Sequence, residues 1–265
     1  MQRTRGFTLI ELVSVIVILA IVSVGVFSFV SIGTRIYVDV TERDQILSEA
    51  RFVLERLNRE LRRAVPNSIR ISANSRCIEF APIAWSSFYE DIAVSPEPAT
   101  DEIELASLGN YQREMNDRVV VYPLEPDHIY LGGDAHNVAP DANPVSGNTL
   151  LLTSDHQFAT DSPARRLYIG REPVSYCLSG NSRLTRHTGY AYRDVQSESP
   201  TNAGIGTGVL MARHIINDPT DANDRPFTLE SATLNRNALV QLQLRFELNE
   251  ELVVFNSEVH LPNVP

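Results

Sequence analysis

An α+β fold is predicted: one long N-terminal helix, membrane-crossing in its first half and amphipathic in its second, packed on a head of antiparallel β-sheet. Three observations predict it. A nearly uncharged run opens the chain, an apolar period of three and four residues follows, and beyond Pro66 the period shortens toward two. The 265 residues suffice for one substantial core plus an extended helical element.

Phe7 to Gly33 carry a single ionisable side chain, Glu11. At 1.5 Å rise per residue this stretch reaches about 40 Å, enough to span a hydrocarbon core of about 30 Å. It is too long for the apolar region of a secretory signal, and it continues into a polar helix. Arg3 and Arg5 precede it, and Asp39 and Glu42 lie on the far flank. The positive-inside tendency places the N-terminus in the cytoplasm and the acidic bulk on the opposite side. Glu11 is costly there, on the order of 2.5–3.5 kcal/mol at a bilayer centre. Two readings stand: an interfacial carboxylate suited to the helix dipole, or a carboxylate awaiting a positive partner.

Beyond Gly33, residues 34–65 form the amphipathic half of the same helix, expected from about residue 7 to 64. Ile46, Ala50, Val53, Leu54, Leu57 and Leu61 make one apolar face, and charges such as Glu49, Arg51, Glu55 and Arg59 occupy the others. Pro66 stops it. Gly25 and Gly33 read as small-residue packing positions or as a hinge.

Residues 66–265 form the head. Expected strands are Ser68–Ile71, Cys77–Pro82, Arg118–Pro123, Thr149–Thr153, Arg166–Ile169, Val174–Leu178 and Arg183–His187. In Val240–Leu248, apolar and polar residues alternate strictly, and Asn249-Glu250 offers a turn into Glu251–Leu261. Segments 86–100, 132–148 and 195–207 read as surface loops. Cys77 and Cys177 are the only cysteines; an oxidising compartment permits a bridge between them, and two unrelated buried thiols are the alternative.

The charge is divided. Residues 1–65 hold nine Arg and seven acids, the rest fourteen Arg and 26 acids, and there is no Lys. A head of net −12 repels a phosphate backbone, so no nucleic-acid partner is expected. No nucleophile elbow, Walker loop or H-E-x-x-H is present, so neither catalysis nor a cofactor is expected. Gly204, Gly206 and Gly208 follow no apolar strand and read as a loop. The six histidines are scattered, without zinc-ligand spacing. Asp218, Asp221 and Asp224 offer oxygen ligands to Ca²⁺, but they lack the EF-hand spacing, glycine and closing glutamate. A solvated hairpin loop is the plainer reading, and no metal site is assigned.

Gly6-Phe7-Thr8-Leu9-Ile10-Glu11-Leu12 resembles the signal of type IV prepilins and type II secretion pseudopilins. The resemblance implies that residues 1–6 are a leader, cut between Gly6 and Phe7 by a prepilin peptidase that methylates the new Phe7 amine. Glu11 would then neutralise that amine on a neighbouring subunit. The stretches Leu54–Ser68, Arg76–Ile83, Pro173–Cys177 and Glu258–Pro265 resemble the O-type minor pilins of MSHA pilus biogenesis, relatives of pseudopilin J and the W-type minor pilins. This implies a structural subunit of the inner membrane, with its head periplasmic, that passes into a pilus with other minor pilins and the major pilin. A secretion pseudopilin and a pilus-tip adhesin are the competing expectations. The proline-free helix, the long head and the lack of a C-terminal cysteine favour a minor subunit.

Overall fold

The computed structural model describes residues 8–107, 109, 111–114, 116–131, 138–140, 143–144, 147–198, 206–230, 238–249 and 251–261. The chain divides into two units, Met1–Leu47 and Ser48–Pro265, with the boundary inside the first helix. The fold is α+β, as the hydrophobic periods predict.

Helix α1 runs Leu9–Leu61 without interruption through Gly25 and Gly33. Its expected end near residue 64 is corrected to Leu61. The last turn tightens as Arg63 and Ala64 N–H donate to the carbonyls of Glu60 and Leu61 at 3.0 and 3.1 Å. The chain then pairs with a strand segment: Val65 N–H donates to the Ala81 carbonyl, and Ile83 N–H to the Arg63 carbonyl, both at 2.8 Å. Within the head unit Ala50, Val53, Leu54, Leu57 and Leu61 are buried, while Arg51, Glu55, Arg59 and Arg62 stay exposed. Each large aliphatic side chain so covered contributes roughly 1.5–3 kcal/mol.

After the helix come β1 (Arg70–Ile71), β2 (Cys77–Phe80), β3 (Ile83–Asp91), β4 (Thr100–Leu105) and β5 (Arg118–Val121). A four-residue helix α2 (Asp127–Tyr130) precedes β6 (Val138–Pro140), β7 (Asn143–Pro144), β8 (Thr149–His156) and β9 (Arg166–Gly170). Next are β10 (Val174–Leu178), β11 (Leu184–Thr188), β12 (Thr207–Ala212) and β13 (Phe227–Glu230). The hairpin β14 (Ala238–Leu248) and β15 (Glu251–Leu261) closes the order.

Among the described residues three sheets form, of order β1-β2-β10-β11-β12, β13-β14-β15 and β6-β5-β9-β3-β4-β8-β7. In the hairpin Val240, Leu242, Leu244 and Phe246 are buried, as their alternation predicts. Asn249 takes φ 50°, the left-handed conformation that a two-residue hairpin turn requires. In the largest sheet β5 and β9 are covered on both faces. Val119, Val121, Leu167 and Ile169 enter one core with Ile103, Leu150 and Phe158. Val120 and Tyr168 enter another with Val65, Ile129, Tyr130 and Tyr192. That is why both strands are continuous apolar runs rather than alternating ones.

Three expected loops need correction. Ser86–Asp91 belongs to β3, β6 and β7 lie within 132–148, and Thr207 starts β12. Only Tyr89 of β3 is fully buried and its apolar residues do not alternate, yet the strand is hydrogen-bonded to β9 and β4 on its two sides; backbone pairing there does not depend on an alternating apolar face. Gly206, expected in a loop, has φ 69°, and a Cβ on it would meet the Thr188 carbonyl oxygen at 2.0 Å. Only glycine fits that approach.

Candidate assembly site

The N-terminal site begins at Thr8. The N–H groups of Glu11 and Leu12 both donate to the Thr8 carbonyl at 3.2 Å, and the Thr8 hydroxyl faces Glu11 Oε2 at 3.4 Å. Threonine before the first turn and glutamate three residues on is the capping-box spacing, which holds a carboxylate against the positive end of the helix dipole. Gly6 and Phe7, the expected cleavage and methylation residues, lie outside the described residues.

From Leu9 to Val40 the apolar side chains stand exposed, Phe27 and Phe29 at 78% each. An 18-residue window of α1 is apolar enough to cross a membrane, and none of it is buried. Three hydroxyls in and just beyond this stretch are satisfied within the helix: Ser14 donates to the Glu11 carbonyl, Ser23 to Leu19 and Thr34 to Val30. No water is needed to complete these groups, which suits hydrocarbon surroundings. Nothing lies within 4 Å of the Cβ that Gly25 or Gly33 would carry.

In the head, Cys77 and Cys177 face each other in register across β2 and β10, and the structure bonds their sulfurs at 2.09 Å. Both are fully buried. Two residues along the strands, Glu79, Ser175 and His187 form a row across the same sheet. Glu79 is 2% exposed and accepts from Arg70 Nε at 2.5 Å, the Tyr190 hydroxyl at 2.9 Å and the Ser175 hydroxyl at 3.3 Å. Burial first, and the Glu79 charge second, push the Tyr190 phenol well up, so it stays a donor. The Arg70 guanidinium lies 3.6 Å from the Tyr130 ring centroid and donates to the carbonyls of Arg193 and Asp194. Sequence reasoning missed this cluster. Its one local signal is an acid set between Ile78 and Phe80.

His187 ends the row, and neither of its ring nitrogens has a hydrogen-bond partner among the described residues. A Cβ at Gly208 would lie 2.7 Å from its ring, so a side chain there has no room. Burial lowers its pKa below the usual histidine value. The unfolded state therefore binds the proton first, and stability is lost as pH falls through the ordinary value toward the lowered one. The slope is at most about 1.4 kcal/mol per pH unit for one proton. Urea midpoints of the full chain in non-ionic detergent, taken at pH 7.5 and 5.5, are expected to fall less in His187→Leu than in the wild type. Equal falls would remove His187 from the acid response.

Asp218, Asp221 and Asp224 do not assemble as a calcium ligand set. Asp224 is buried and accepts from Asn217, from the Asp218 N–H and from Arg245 Nη1 at 2.5 Å. Asp218 is held by the hydroxyl and N–H of Thr220, which lower its pKa, and Asp221 accepts from the Asn223 N–H. Each carboxylate serves its own turn, and no metal-ligating group of three occurs among the described residues.

The prokaryotic N-terminal methylation motif matches residues 1–27. No curated protein gives a significant match, and neither does any solved structure. The motif implies processing by a prepilin peptidase and assembly with pilins, and pilin-family proteins are structural rather than enzymes. Together with the long apolar helix and the β-sheet head, it makes this chain a type IV pilin-like protein carrying a prepilin methylation motif.

Proposed function

We propose that the chain is a minor pilin of an MSHA-type type IV pilus, which joins other minor pilins to initiate or cap assembly. Residues 1–6 are the leader, removed between Gly6 and Phe7. Residues 7–33 lie first in the inner membrane, N-terminus cytoplasmic, and then in the filament core; 34–65 and the head stand on the periplasmic side. What supports the reading most is Glu11, the one ionisable side chain between Thr8 and Thr34, capped at the start of a helix with an exposed apolar surface. Such a surface is covered by lipid or by like helices. In a dry bundle a lone carboxylate favours the register that brings it a cation. The methylated amine of Phe7 on a neighbouring subunit is that cation.

The expected result for a Glu11→Ala strain is loss of pili by electron microscopy, with the protein still processed and present in the membrane fraction. Normal pilus number would contradict the mechanism. Unchanged pili with loss of type II secretion would move the subunit to a secretion pseudopilus.

A further inference from the structure

A cleft of about 320 Å³ on the head is lined by Arg63, Arg171, Arg186 and Glu60 over a floor of Phe80, Pro82 and Ile83. Its charge is opposite to that of the head around it, where residues 66–265 carry fourteen Arg against 26 acids. Glu60 alone answers two guanidinium groups: Arg56 Nε at 2.9 Å and Arg186 Nε at 3.0 Å, with the Tyr176 hydroxyl also donating to it. Arg171 Nη1 meets Glu114 at 2.5 Å, but its Nε is buried with no acceptor among the described residues. Arg63 is exposed and has no carboxylate partner among the described residues. Arg56, Arg171 and Arg186 thus share two carboxylates, and Arg63 is left over.

The backbone beneath Arg63 and Arg171 is hydrogen-bonded in place. Arg63 and Arg171 are anchored to one short segment, since the Arg63 carbonyl accepts the Ile83 N–H and the Arg171 N–H donates to the Pro82 carbonyl at 2.9 Å. Ile83 also sits in register with Gly170 across β3 and β9. Guanidinium forks over an apolar floor favour a carboxylate carried next to an apolar residue, and a backbone already held in place lowers the cost of binding it.

We propose that this cleft binds an acidic peptide segment of a partner protein, with carboxylates at Arg63 and Arg171 and an apolar residue on Pro82 and Ile83. The test uses the full chain in non-ionic detergent, with fluorescently labelled hexaglutamate and hexaglutamine peptides followed by anisotropy at low salt. Hexaglutamate is expected to bind at least tenfold more tightly, and raising the salt is expected to weaken it. Arg63→Glu is expected to weaken it tenfold or more. Arg62→Glu, its exposed neighbour outside the cleft, is expected to change it less than twofold. The proposal is overturned if hexaglutamate binds no better than hexaglutamine, or if the two substitutions act equally. Displacement by inorganic phosphate at equal charge concentration would overturn the peptide assignment. Self-association of the chain that Arg63→Glu abolishes would overturn the assignment to a foreign partner.

Discussion

Replacing Glu79 by alanine is expected to destabilise the head by about 3–5 kcal/mol, the cost of removing one partner from a buried ion pair. The reason lies in what remains. Arg70 keeps its charge beneath Tyr130, and the Tyr190 and Ser175 hydroxyls lose their shared acceptor. A domain's whole stability is about 5–15 kcal/mol, so the variant would stand near its unfolding threshold at 37 °C. Urea unfolding of the full chain in non-ionic detergent reads the difference. The paired substitution Glu79→Leu with Arg70→Met is expected to cost less than Glu79→Ala alone, because no uncompensated charge stays buried. If the pair costs more, the cluster's contribution is packing rather than charge.

The second large effect concerns the bridge. Cys77 and Cys177 close a loop with a sequence separation of 100, for which the chain-entropy model gives about 4.7 kcal/mol. Serines at both positions are expected to cost about 2–5 kcal/mol. Both sulfurs are fully buried, so the folded chain is expected to resist reductant, whereas denaturant with reductant exposes two thiols. Alkylation and intact mass distinguish these states. Two thiols alkylated in native exported protein would show that the bond does not form.

How much was legible in the sequence follows from how local each signal is. The helical stripe from Ala50 to Leu61 and the alternation in β14 depend on spacing within one element, and both recur in the burial pattern. Glu11 was legible for the same reason, since an acid in an apolar run needs no partner to be noticed. β4 alternates too, with Ile103 and Leu105 buried between exposed glutamates, but only two apolar residues carry the period. β3 has apolar residues at Ile83–Trp85 and Phe88–Tyr89, but Ser86 and Ser87 interrupt them and no alternation results. The Glu79 cluster and the arginine cleft were beyond reach because their members meet only in the fold. Arg70 and Tyr190 lie 9 and 111 residues from Glu79, and Arg63, Arg171 and Arg186 come from three separate segments.

The Cys77–Cys177 bond also has a mechanical consequence. A pull between α1 and the C-terminal hairpin is carried directly from β2 to β10 through the covalent bridge, bypassing the residues between them. At 3.3–3.6 Å per extended residue, about 330–360 Å of contour is kept out of the loaded path. Even with its hydrogen bonds torn, a subunit under tension would therefore act as a short tether, and most of the largest sheet would bear none of the force.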